Sequence, residues 1–189
     1  MINVAMLSKW HVHASDYAKQ VRNSDDARIS CIWDEDAKRG LNWAKELGVD
    51  FEENLDTLLK RDDVDAVIIN TSTSDHCHVM VLAANAGKHI FTEKAMAPTL
   101  DECRKISTAV ANNNVKFCIS HPNLTTSFVQ YAKQVMDEGL LGDVNYMRMR
   151  SAHGGTILGW LPDYWYDVEK AGGGAMMDLG CHPMYTAAY

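Results

Sequence analysis

The run Val64-Asp65-Ala66-Val67-Ile68-Ile69 restricts the fold more than any other stretch of this chain. Apolar residues fill all of it except Asp65, so a strand made from it buries both of its faces. Strands covered on both sides belong to parallel sheets flanked by helices. Residues 2–7, 28–33, 89–92 and 115–120 supply further short apolar runs. Between them lie helical patterns. Residues 17–21 continue one, and residues 36–47 form a second, with Leu41, Ala44 and Leu47 on one face and Gly48 placed to cap its end. Leu55, Leu58 and Leu59 mark a short third helix, and residues 76–86 run to Gly87. Thr99-Leu100-Asp101-Glu102 is a capping box that opens another. Strands alternating with helices in this way predict an α/β fold, a right-handed doubly wound parallel sheet.

Beyond residue 122 the pattern changes. A helix is expected over residues 126–138, closed by Gly139, and residues 144–150 alternate apolar and polar side chains as a half-exposed strand does. A loop over 151–171, rich in Trp, Tyr, Asp and Gly, leads to Gly172-Gly173-Gly174 and a helical pattern that continues to the last residue. One strand and two helices cannot complete a sheet. The apolar surface left open must be hidden by self-association or cause aggregation, and a homo-oligomer is expected. A net charge of -7 with no basic run argues against nucleic acid. No apolar run is long enough to suggest a membrane span, and the opening residues read as a strand, so a cytoplasmic protein is expected. Five cysteines, odd in number and far apart, read as reduced thiols.

The chemistry gathers at a few places. Lys94 follows the apolar strand ending at Thr92, at the carboxyl edge where open α/β sheets bind ligands. The turn after the first strand, where a dinucleotide site wants G-x-G-x-x-G, reads Ser8-Lys9-Trp10-His11-Val12-His13-Ala14, without a glycine. Asp34, at the end of the second strand, is placed either to accept ribose hydroxyls or to cap the helix that follows. The turn from Asn70 to His76, with Thr71 and Ser72, offers hydroxyls and amides to a ligand or to the next helix. His76, Cys77 and His78 lack a third ligand at metal-site spacing, and no metal is expected there. Asp178 and His182 are four apart, so on one helix the carboxylate can orient the imidazole.

Taken in order, Ala86-Gly87-Lys88-His89, Thr92-Glu93-Lys94, Glu138-Gly139-Leu140-Leu141-Gly142-Asp143, and Gly172-Gly173-Gly174 with Asp178, Gly180, His182 and Pro183 resemble the Gfo/Idh/MocA oxidoreductases along the whole chain. The resemblance implies a Rossmann domain over residues 1–122 and the start of a substrate domain over 123–189, with most of that domain's sheet missing. It implies Lys94, Asp178 and His182 as catalytic residues, through the family's E-K-P and D-x-G-x-H motifs. Cofactor contacts are expected from Ser8, Trp10, His11, Asp34, Thr71, Ser72, His76, Glu93 and Lys94. The cofactor is NAD or NADP; Asp34 slightly favours NAD, while Lys38 and Arg39 stand near enough to take a phosphate. Hydride transfer to or from a sugar or cyclitol is the implied reaction. Substrate contacts are expected from His121, Asp163, Tyr164 and Trp165, with Asn123 of lower rank. Three departures stand out: the glycine-free loop, Ala95 in place of the family's proline, and the length. They leave a rival reading, a catalytically idle remnant that binds a cofactor weakly or serves as an interaction module.

Overall fold

The computed structural model describes residues 1–189, which divide into two compact units, Met1–Ile119 and Ser120–Tyr189. The first unit is a six-stranded sheet in the order β3-β2-β1-β4-β5-β6. Its strands are β1 (Ile2–Leu7), β2 (Ala27–Trp33), β3 (Asp50–Phe51), β4 (Ala66–Ile69), β5 (His89–Thr92) and β6 (Phe117–Ile119). Every pairing is parallel. Strand order reverses between β1 and β4, and at such a reversal the two departing loops separate and open a crevice at the carboxyl edge. β3 is two residues long, too short to leave a periodicity in the sequence.

Two apolar layers hold the sheet. Period-2 alternation sends Ala5 and Leu7 of β1 to one face, with Leu58, Val79, Met80 and Ile106. Val4 and Met6 go to the other, with Ala18, Ile32 and Trp43. The helices are α1 (Ala14–Arg22), α2 (Ala37–Leu47), α3 (Leu55–Leu59), α4 (His76–Asn85) and α5 (Leu100–Asn112). Local signals set their ends. The Asp36 side chain accepts the Arg39 amide at the start of α2, Gly48 closes it at φ 70°, and Thr99 and Glu102 form the reciprocal capping box of α5.

Gly40, inside α2, marks a close approach. A Cβ there would lie 2.5 Å from Phe51 Cε2 and 2.6 Å from Asp34 Cβ. Alanine improves helix propensity by about 1 kcal/mol, whereas overpacking a tight contact costs about 1–3 kcal/mol. The second effect wins, so Gly40→Ala is expected to lower stability in denaturant titration, and a more stable variant would contradict the contact.

The second unit contains α6 (Ser127–Asp137), α7 (Val168–Ala171), α8 (Ala175–Asp178) and α9 (Cys181–Ala188), with single 3-10 turns at Pro122–Thr125 and Asp163–Tyr166. Two expectations are corrected here. Residues 144–150 form no strand, because a ladder needs a neighbouring strand and this unit holds none. The expected last helix is interrupted at Leu179 and Gly180, so Asp178 closes α8 and His182 lies in α9.

Candidate functional site

The chain leaves β1 through Ser8, whose φ of 73° is left-handed, a region costly for a side chain other than glycine. Hydrogen bonds hold it there. Its amide donates to the Trp33 carbonyl at 2.7 Å, and its hydroxyl accepts the Trp10 amide at 3.0 Å. The Lys9 amide donates to Asp34 Oδ2 at 2.8 Å, and the His11 amide to the Asn70 carbonyl at 2.9 Å. The His13 amide donates to His11 Nδ1 at 3.2 Å. A glycine-rich loop presents such amides to a pyrophosphate; here side chains and neighbouring strands take most of them.

Asp34 is buried at the end of β2. Arg39 grips it with Nε at 2.9 Å and Nη2 at 2.6 Å, and the Asp36 amide donates to it at 2.9 Å. Arg39 Nη2 also donates to Glu35 at 2.7 Å and to the Ser8 hydroxyl at 3.3 Å. Burial raises the Glu35 carboxyl above its ordinary value, against the Ser8 hydrogen bond. The carboxylate expected to receive ribose hydroxyls thus has a guanidinium on it.

After β4 the chain carries Asn70, Thr71, Ser72 and Thr73, all buried. Ser72 Oγ donates to Asp75 at 2.6 Å, whereas Asn70 Oδ1, Thr71 Oγ1 and His76 Nε2 are buried with no hydrogen-bond partner in the protein. Such atoms cost free energy unless something else supplies their partners. They therefore fit a polar ligand at the carboxyl edge, as a dinucleotide cofactor requires. His76 Nδ1 lies 2.8 Å from the Ala95 carbonyl, which accepts its proton and leaves Nε2 as the acceptor.

Burial depresses the His76 pKa from 6.5, partly opposed by the Ala95 carbonyl. A depressed folded value means that the unfolded chain takes up the proton first. Stability from the neutral ring is present above pH 6.5 and lost as pH falls below it. His76→Gln is expected to lose less stability than the parent between about pH 7 and pH 5 in urea titrations. Equal losses would remove His76 from the acid response.

Glu93 and Lys94 follow β5, and both are buried. Glu93 Oε1 accepts from the Tyr17 hydroxyl and lies 2.8 Å from His13 Nδ1; Oε2 accepts the Lys94 amide at 3.0 Å and lies 3.6 Å from His11 Nε2. Burial alone would raise the Glu93 carboxyl, but the His13 bond, the neighbouring His11 and the Tyr17 bond outweigh it and hold it at about 2. Burial pushes the His11 imidazole down to about 3, so it stays neutral. The hydrogen bond to Glu93 raises His13 above its ordinary value. His13 and Tyr17 are absent from the residues expected from sequence. The His-x-His spacing beside a buried Glu was the available signal.

The first unit thus brings Ser8, Trp10, His11, Asp34, Thr71, Ser72, His76, Glu93 and Lys94 to the carboxyl edge of one sheet. In the second unit, His121 stacks on Tyr185 at 4.0 Å, and His182 Nδ1 lies 2.7 Å from the Tyr185 hydroxyl. The Asp178 carboxylate lies 3.6 Å from His153 Nε2, an imidazole that the sequence did not single out. Trp165, Asp178 and His153 line one cavity of about 320 Å³, while Asp163 and Tyr164 share the 3-10 turn with Trp165.

The pattern of an oxidoreductase family described by its NAD-binding Rossmann fold matches residues 10–137, and that of the GFO/IDH/MocA C-terminal domain matches residues 129–189. The chain belongs to the Gfo/Idh/MocA oxidoreductase family. Among Gfo/Idh/MocA relatives, the 2,7-anhydro-N-acetylneuraminate hydratase of Escherichia coli is 31% identical over 144 residues, 76% of this chain and 38% of the relative. Levoglucosan dehydrogenase of Pseudarthrobacter phenanthrenivorans is 30% identical over 135 residues, 68% of this chain and 34% of the relative. The scyllo-inositol dehydrogenase of Lactobacillus casei, solved with NAD(H) and scyllo-inositol, has the same fold, with a TM-score of 0.84 at 24% identity over 99% of this chain and 55% of that one. The chain spans about a third to a half of the length of these relatives. No helix is long and apolar enough to cross a membrane.

Proposed function

We propose that this protein is an NAD(P)-dependent oxidoreductase moving a hydride between the cofactor and a secondary alcohol of a sugar or cyclitol. The observation that carries the reading is the set of buried polar atoms without protein partners, on Asn70, Thr71 and His76, at the carboxyl edge that also holds Lys94. Family membership adds to it, as do relatives whose names include a levoglucosan dehydrogenase and a scyllo-inositol dehydrogenase. In this reading the bound cofactor supplies the hydride acceptor or donor. Asn70, Thr71 and His76 would hold its polar groups, and Asp34 with Arg39 would meet its ribose end. Lys94 or His182 would take the hydroxyl proton. Asp178, with Trp165 in its cavity, would meet substrate hydroxyls and C–H faces.

Calorimetric titration with NAD and with NADP tests the reading. Saturable binding of either, weakened about tenfold or more by Thr71→Val, which removes a hydroxyl that a ligand would have satisfied, is the expected result. Absence of binding at millimolar concentrations of both would overturn it in favour of the idle remnant.

A further inference from the structure

We propose that His11, His13 and Glu93 form a binding site for a divalent cation of the zinc class, with two imidazoles and one carboxylate as protein ligands. The three ligand atoms lie within 4.8 Å of one another. Glu93 Oε1 is 2.8 Å from His13 Nδ1, and Oε2 is 3.6 Å from His11 Nε2. A tetrahedral ion about 2.1 Å from each ligand places neighbouring ligands about 3.4 Å apart. At 3.6 Å the His11–Glu93 separation suits two groups on one ion, while the 2.8 Å His13–Glu93 contact is a hydrogen bond that would open on ligation. Three protein ligands leave a position open for water or a substrate oxygen.

The fold fixes all three ligands from the backbone. His11 and His13 occupy the turn into α1, with the His11 amide tied to Asn70, and Glu93 is the first residue beyond β5. Tyr17 and the Lys94 amide both donate to the carboxylate, which is the outer support that ligating carboxylates receive. The competing arrangement is a hydrogen-bonded cage around a buried carboxylate. Ligation through His11 Nε2 requires the tautomer with its proton on Nδ1 and gives up the 3.2 Å bond from the His13 amide. Two imidazoles and a carboxylate suit Zn²⁺, Fe²⁺ or Co²⁺ rather than Mg²⁺ or Ca²⁺.

The whole chain, freed of metal with a chelator, is titrated with Co²⁺, whose visible absorption reports its ligands. One equivalent is expected to saturate a spectrum that Zn²⁺ then abolishes. His13 is half exposed, so His13→Gln is expected to fold and to weaken Co²⁺ binding about a hundredfold or more. His78→Gln, on α4 and outside the cluster, leaves the affinity unchanged. His13→Cys restores binding with an added thiolate band in the near ultraviolet, a result that a merely structural role for His13 would not give. No saturable spectrum at millimolar Co²⁺, or undiminished affinity in His13→Gln, overturns the proposal. Because the readout is the metal's own absorption, failure here is distinguishable from failure of the cofactor titration.

Discussion

Replacing Trp43 with alanine is expected to destabilise the first unit by about 3–5 kcal/mol. Trp43 is 1% exposed in the layer formed by Val4, Met6, Ala18 and Ile32, and Lys9 Nζ lies 5.4 Å from the centre of its ring. Its removal leaves a large cavity between α2 and the sheet. Since whole domains are stable by only about 5–15 kcal/mol, the variant would stand close to its unfolding threshold. Trp43→Phe retains most of the apolar volume and is expected to cost less than half as much. Urea titration measures both, and a loss under about 1 kcal/mol for the alanine variant would show that α2 is not anchored through this residue.

Lys94→Ala is expected to lower kcat by about two to four orders of magnitude in the proposed oxidoreductase reaction, the range for losing a group that moves a proton in the transition state. Cofactor affinity should change only a few-fold, because Asn70, Thr71 and His76 remain. Lys94→Arg separates two roles. A guanidinium keeps the charge but does not surrender its proton, so arginine fails as completely as alanine if Lys94 is the base. Rescue by arginine would make Lys94 a positioning charge and leave His182 as the base. Steady-state rates over a range of pH, measured for both variants, decide between them.

Most of the sheet was legible because β1, β2, β4 and β5 are apolar runs of the kind parallel sheets need, with Val64 to Ile69 the clearest, whereas two-residue β3 left no signal. The ends of α2 and α5 were legible because Asp36, Gly48, Thr99 and Glu102 cap through their own side chains or through a backbone angle that favours glycine. Residues 144–150 misled because alternation describes one strand's faces and says nothing of whether a neighbour exists to pair with it. The run from Gly174 to the last residue misled because helical periodicity survives a break at Gly180. At the site, Asp34 and Lys94 could be placed at strand ends from their positions alone. The grip of Arg39 on Asp34 and the gathering of His11 and His13 around Glu93 depend on how loops far apart in sequence meet.

If the proposed cofactor site is used, the Asp34–Arg39 pair would work as a latch. A ribose diol arriving at Asp34 meets a carboxylate already taken at 2.6 Å, and a 2′-phosphate arriving at Arg39 meets a guanidinium already neutralised by Asp34 and Glu35. In that site either ligand would have to open the same contact first, so the same opening cost would be subtracted from both affinities. Selectivity depends on the difference between two binding free energies, and a cost common to both cancels from it. A latch of this kind would lower affinity for both dinucleotides while leaving the preference between them to whatever contacts form after it opens.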